Sequence, residues 1–277
     1  MRILKTILIA TLFALTLSGY SQDKNAFSII QITDPQFGFL ENNKGFSQET
    51  KLFEKAISEV NRLHPDIVVF TGDLVNKRED KSQIDEFRRI VSNIDKGIKV
   101  LYSPGNHDLG SNPGKKEIDE FKRFFGPDRF SVKYRNTRLI GLNSSLIRNN
   151  TPELEQEQIS WLEKQLSKSK RSDHIILFTH YSFFINSPAE PEAYFNITPA
   201  TRAKYFNLFK KSGVDAIFSG HLHNNGYGKD GDIEMITTSA VGKPLGKAPS
   251  GFRIIKVYPD RIENKYYGLD DIPDSIF

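Results

Sequence analysis

The chain has 277 residues, no cysteine, and 38 Lys plus Arg against 34 Asp plus Glu, a formal charge of +4. Without cysteine there is no disulfide, no thiolate metal site, no thiol nucleophile and no N-terminal lipoprotein cysteine. A composition 38% hydrophobic and 26% charged suits a folded soluble chain rather than a disordered one.

Residues 1–21 read as an address. Arg2 and Lys5 give a basic start, Ile7 to Leu17 is an uncharged, mostly apolar run of 11 residues, and Gly19-Tyr20-Ser21 precedes Gln22. This is the pattern of a secretory signal peptide cleaved after Ser21. The run is shorter than the roughly 20 residues that span a bilayer. Residues 22–277 are then the working domain, periplasmic or secreted, with no stable membrane anchor expected after cleavage. Losing residues 1–21, which carry two bases and no acid, leaves 256 residues with a formal charge of +2.

Phe27 to Ile32 reads as a strand and runs straight into Thr33-Asp34-Pro35-Gln36. Leu52, Phe53, Ala56, Ile57, Val60 and Leu63 recur at helical spacing, predicting an amphipathic helix over 48–63. Ile67 to Phe70 is a short buried strand ending at Gly72-Asp73, and a helix follows near 81–94. The strand Ile98 to Tyr102 ends at Ser103-Pro104-Gly105-Asn106-His107-Asp108. Leu139 to Asn143 is a strand, 153–168 a helix, and Ile175 to Phe178 a strand ending at Thr179-His180. A helix near 199–211 precedes the strand Val214 to Phe218, which ends at Gly220-His221-Leu222-His223. Strand-like stretches near 233–238, 252–257 and 261–266 complete the chain. With no linker visible this is one domain. An α/β half followed by a β-rich end suggests two sheets covered by helices.

Sites in open α/β sheets gather beyond the carboxyl ends of strands. If these strand ends converge, they place Asp34, Gln36, Asp73, Asn106, His107, Asp108, His180, His221 and His223 in one pocket. Carboxylate oxygen and neutral imidazole suit zinc, manganese, iron or similar divalent ions. Two acids, two amides and three imidazoles are too many ligands for one ion and suit two, joined by a bridging carboxylate. His64, before Pro65, and His174, opening a strand, read as structural.

The clusters resemble the calcineurin-like metallophosphoesterase superfamily, whose pattern is D-x-H, G-D, G-N-H-[D/E], a lone His and G-H-x-H, each at a strand end. The resemblance covers residues 34–223. It implies an α/β fold: a four-layer α/β/β/α sandwich with two mixed β-sheets and two divalent metal ions (Mn, Fe, Zn or Mg) between them. It also implies the ligands. Asp34, position 36, Asp73 and His223 would hold the first ion; Asp73, Asn106, His180 and His221 the second, with Asp73 bridging. One departure is that Gln36 stands where the pattern has His. An amide oxygen is a harder and weaker donor than imidazole. Either the first ion is held less tightly, with manganese or magnesium favoured over zinc, or water takes that position. The run Asp34 to Gly38 is similar to a branch associated with dephosphorylating phosphoserine and phosphothreonine.

The activity implied is dinuclear metal-dependent hydrolysis of a phosphate ester, with a phosphomonoester favoured. Two such ions stabilise attacking and leaving oxygens and lower the pKa of a bound water, giving a metal-bound hydroxide as nucleophile. His107 would donate a proton to the leaving oxygen or stabilise phosphoryl charge. Asp108 would either orient His107 or cap the loop. Segments 109–116, 144–152, 182–198 and 224–231 read as loops around the pocket, carrying Lys115, Lys116, Arg148, Tyr181, Phe183, Phe184, Tyr194, Asn224 and Tyr227. The branch points to a phosphoprotein, export to nucleotides or phospholipid head groups. Alternatives are a phosphodiesterase or nucleotidase on the same scaffold and a non-catalytic metal-binding module. A nucleic-acid partner is not expected, because Lys and Glu are interspersed.

Overall fold

The computed structural model describes residues 25–110, 112–149 and 151–277; the expected signal peptide, residues 1–21, lies outside them. In chain order the elements are β1 (Phe27–Ile32), α1 (Ser47–Leu63), β2 (Ile67–Phe70), α2 (Lys81–Val91), β3 (Lys99–Tyr102), α3 (Asn106–Leu109), α4 (Lys115–Phe125), β4 (Phe130–Tyr134) and β5 (Thr137–Gly141). There follow α5 (Ser144–Arg148), α6 (Pro152–Ser167), β6 (His174–Phe178), α7 (Pro199–Ser212), β7 (Ala216–Ser219), β8 (Gly226–Asp230), β9 (Ile233–Thr237), β10 (Gly251–Val257) and β11 (Ile262–Gly268). One sheet has the order β11-β10-β1-β2-β3 and the other β4-β5-β6-β7-β9-β8. Parallel pairing runs through β1-β2-β3 and through β5-β6-β7-β9, with antiparallel strands at the margins.

Side-chain alternation along the strands builds the layers. Phe27 and Ile29 of β1, Ile67 and Val69 of β2, Ile176 and Phe178 of β6, and Ala216 and Phe218 of β7 meet between the two sheets. Their neighbours Ile30, Ile32, Val68 and Phe70 turn outward onto Phe53, Ile57 and Val60 of α1 and Phe87 of α2. Ile175, Leu177 and Ile217 turn outward onto Ile159 and Leu162 of α6 and Phe206 and Phe209 of α7. The result is the four-layer α/β/β/α sandwich. Burying each of these large side chains stabilises the fold by about 1.5–3 kcal/mol. Local signals fix the helix ends: Asp80 accepts from the backbone of Ser82 and Gln83 to cap α2, and Thr198 caps α7 ahead of Pro199. No helix among the described residues is long and apolar enough to cross a membrane.

Five elements differ from the expectation: the short helices α3 and α5, the latter within the segment 144–152 read as a loop, and α4, β4 and β8. The charge-rich α4 lies between two expected features and buries only Ile118 and Phe121 fully. β4 and β8 are edge strands. β8, Gly-Tyr-Gly-Lys-Asp, has almost no strand propensity of its own and exists through its antiparallel pairing with β9.

Candidate metal centre

All five polar clusters lie at the carboxyl ends of parallel strands: Asp34 and Gln36 after β1, Asp73 after β2, Asn106 and His107 after β3, His180 after β6, His221 and His223 after β7. The glycines in two motifs permit this convergence. Gly72 has φ +91°, and a Cβ there would lie 2.5 Å from the backbone nitrogen of Gly105. A Cβ on Gly105 would lie 2.1 Å from Asp73 Oδ1. No side chain fits at either place. The ligand-bearing turns are themselves strained. Asp34, Gln36, Asp73, His221 and His223 all have positive φ, between 41° and 66°.

Asp73 sits at the centre. Its Oδ1 accepts the backbone N–H of His107 at 2.8 Å, and its Oδ2 lies 3.2 Å from His180 Nε2. Asp73, His180 and His221 bring donor atoms within 4.8 Å of one another; so do Asp34, Asp73 and His223. Asp73 alone belongs to both groups. Asn106 Oδ1 is 3.1 Å from His180 Nε2, and His221 Nδ1 is 3.2 Å from the same nitrogen. Asp34 Oδ1 lies 3.2 Å from His223 Nε2.

Carbonyls orient the imidazoles from behind. His180 Nδ1 meets Thr71 O at 2.8 Å, His223 Nδ1 meets Lys243 O at 2.6 Å, and His107 Nδ1 meets Asn76 O at 2.8 Å. A carbonyl only accepts, so each Nδ1 carries a proton and each Nε2 is the atom left to bind, presenting a lone pair once the ring is neutral. His180 and His223 turn theirs on the carboxylates.

The residues fit two divalent ions. Asp34 Oδ1, Gln36 Oε1 and His221 Nε2 are buried without a hydrogen-bond partner. Orphaned polar atoms are costly in a folded interior, and Asp34 and His221 belong to the two converging ligand groups. Protons register the same field in the metal-free protein. Burial would raise Asp73, but His180 holds it well below the usual carboxylate range. Burial would depress His180, but the Asp73 carboxylate outweighs this and lifts it to about 9. Burial and the charge of His180 push His221 down to about 4. At pH 8, therefore, metal uptake should release at least one proton from His180, because a ligand imidazole must be neutral. Apparent affinity should rise with pH up to about 9. Calorimetric titration in two buffers of different ionisation enthalpy measures the proton count, and a value of zero would contradict this account.

Some expected roles change. Asp108 does not orient His107: its Oδ1 accepts from the backbone of Leu74 (2.8 Å) and Val75 (3.3 Å), and its Oδ2 from Gly105 (2.8 Å). It is the carboxylate that caps the loop, because three donors already occupy it. Phe183 and Phe184 are fully buried against α7 and face the core. Tyr227 is engaged with Glu234, and Asn224 Oδ1 accepts from the backbone of Asn225. Lys115 lines a separate 130 Å³ cavity with Lys122, Asp128 and Arg129. His64 ends α1 in a left-handed turn, and His174 Nε2 meets Tyr258 O, both structural.

Two tyrosines do border the centre. The Tyr181 ring lies 4.2 Å from that of His221 and the Tyr194 ring 5.0 Å from it. Tyr194 is 70% exposed, yet its loop is clamped. The guanidinium of Arg202 donates to the carbonyls of Phe183, Pro188, Glu190 and Ile197. Across the pocket Phe39 stands 5.4 Å from His223, with Lys243 Nζ 5.0 Å over its ring. Phe39 and Lys243 carry no motif, and only the folded arrangement reveals them.

Sequence comparison matches residues 27–225 to the profile of the calcineurin-like phosphoesterase family. The chain belongs to that family. The serine/threonine-protein phosphatase CPPED1 of Homo sapiens is 34% identical over 285 aligned positions, covering 96% of this chain and 91% of that protein. Among solved structures, a dimetal phosphatase from Danio rerio superposes with a TM-score of 0.69 at 16% identity, over 88% of this chain and 96% of that one. The purple acid phosphatase PPD1 of yellow lupin (Lupinus luteus) gives 0.67 at 17%, over 89% and 52%. These two likenesses bear on the fold. This calcineurin-like phosphoesterase is a metal-dependent phosphoric ester hydrolase.

Proposed function

We propose that the preferred substrate is a phosphomonoester of the phosphoserine or phosphothreonine type, hydrolysed outside the cytosol. The observation that carries the chemistry is Asp73, shared by two ligand groups whose free atoms converge. Bound divalent ions supply Lewis acidity and a water activated for attack near neutral pH. Everything else falls to the chain. Asp34, Gln36, Asp73 and His223 would hold the first ion, and Asp73, Asn106, His180 and His221 the second. Asn76 O holds the Nδ1 proton of His107, which leaves Nε2 as the atom that faces a leaving oxygen and passes it a proton when the ring is cationic. Tyr194 on one side and Phe39 with Lys243 on the other offer ring faces and a positive charge to the substrate's organic part and its phosphoryl oxygens. Exposed Tyr194 makes the rim reachable by a side chain borne on a larger molecule. The name of the human relative, a serine/threonine-protein phosphatase, favours the same substrate class. The oxygen and amide donors at Asp34 and Gln36 favour manganese or magnesium at the first position.

Export rests on Arg2, Lys5, the apolar run Ile7 to Leu17 and the small residues before Gln22. One experiment tests both parts. The enzyme is recovered from the extracytoplasmic fraction, its first residue is determined, and it is given phosphopeptide, p-nitrophenyl phosphate, nucleotide and bis(p-nitrophenyl) phosphate, each with manganese, iron, zinc or magnesium. The expected result is a chain starting at Gln22 that favours monoesters at least ~10-fold, a difference of about 1.4 kcal/mol in transition-state binding. Preference for the diester would overturn the substrate reading, and an intact Met1 would overturn export.

A further inference from the structure

Gln36 replaces an imidazole with a group that has a direction. Its Oε1 offers lone pairs to a cation, whereas its NH₂ end repels one. The choice between the two is made outside the metal centre.

The chain of contacts begins at Gln83 on α2, which is 1% exposed. Its Oε1 faces the backbone N–H groups of Asn76 (3.1 Å) and Lys77 (2.9 Å). An atom that meets two donors must be an acceptor, so the other end of Gln83 is its NH₂. That NH₂ donates to Asn43 Oδ1 at 2.9 Å, with Asp80 Oδ2 also 3.4 Å away. Asn43 Oδ1 therefore accepts, and the second group pointing at it, Asn76 Nδ2 at 2.8 Å, donates. Asn76 then has only Oδ1 to offer Gln36, whose Nε2 donates to it at 3.1 Å. Gln36 Oε1 remains, buried and without a protein partner.

We propose that this relay of four side-chain amides, Gln83–Asn43–Asn76–Gln36, fixes the polarity of Gln36 so that its carbonyl oxygen is a ligand of the first ion. The proposal rests on the two-ion reading above. Two backbone N–H groups at the far end set the direction of every link. Asn76 serves the site twice, since its own carbonyl also holds His107 Nδ1.

The relay is reversed by exchanging one NH₂ for oxygen. In Gln83→Glu one carboxylate oxygen keeps the two backbone donors and the other turns an acceptor on Asn43. Asn43 then presents its NH₂, Asn76 turns Oδ1 to Asn43 and NH₂ to Gln36, and Gln36 turns its NH₂ to the ion. The added negative charge would by itself tighten cation binding, so the relay predicts the opposite sign. Metal-free protein is titrated with Mn²⁺ by calorimetry at pH 8. Wild type is expected to take two ions. Gln83→Glu should weaken one of them about 10–100-fold, the scale of outer-shell changes at metal sites. The weakened ion should be the one lost in His223→Ala, and the other should be unchanged. Asn76→Leu, which frees the Gln36 amide but keeps the carbonyl at His107, should weaken the first ion alone. In a Gln36→His background Gln83→Glu should no longer weaken the first ion.

Unchanged or tighter binding in folded Gln83→Glu, or equal weakening in the Gln36→His background, would overturn the relay. Should Gln83→Glu not fold, full first-ion affinity in Asn76→Leu would do so. Wild type that takes up fewer than two ions would instead overturn the two-ion reading itself.

Discussion

Asp73→Asn should fold normally, lose high-affinity binding of both divalent ions, and fall at least ~10³-fold in phosphate-ester hydrolysis. The size follows from the several kcal/mol that bound metal contributes to such reactions. Asn is the informative replacement. It tolerates the left-handed backbone that position 73 adopts, with φ +48°, and its amide oxygen can still accept the N–H of His107. What disappears is one negative charge from the only side chain common to both ligand groups. Metal content after dialysis and turnover of p-nitrophenyl phosphate are the two readings. Two retained ions with undiminished turnover would remove the bridging role.

His107→Ala should do the reverse, keeping both ions and losing rate. His107 follows the ligand Asn106, but its Nδ1 is committed to Asn76 O. The ring is half-buried and belongs to neither ligand group. A positioned general acid contributes about 10²–10⁴-fold, and that loss should appear in full with an alkyl phosphate, whose alkoxide must be protonated as it leaves. With p-nitrophenyl phosphate the loss should be much smaller, since p-nitrophenolate departs without a proton. The comparison separates acid catalysis from binding. Equal losses on both substrates would make His107 a phosphoryl-binding group, and an emptied metal site would make it a ligand.

The architecture was legible because parallel strands buried on both sides are uninterrupted apolar runs, and each run here stops at a polar cluster. Ile67 to Phe70 followed by Gly72-Asp73 shows burial, close approach and ligand within seven residues. The convergence of Asp34, Asp73, His180, His221 and His223 was legible for the same reason. Less legible were roles that depend on direction. Asp108 adjoins His107 in sequence, but a helical turn points its carboxylate at the backbone of Leu74, Val75 and Gly105 instead. Phe183 and Phe184 stand in a polar segment, and only the packing of α7 beneath it reveals them as core. The groups behind the histidines are backbone carbonyls, which every residue possesses and no sequence can single out. The amide relay gathers positions 36, 43, 76 and 83, four unremarkable polar residues whose connection exists only after folding.

The left-handed backbone at Asp34, Gln36, Asp73, His221 and His223 sets folding and catalysis against each other over evolutionary time. Each such residue costs on the order of 1 kcal/mol that glycine would not. A laboratory selection for heat resistance run without metal should therefore accept glycine at these five positions.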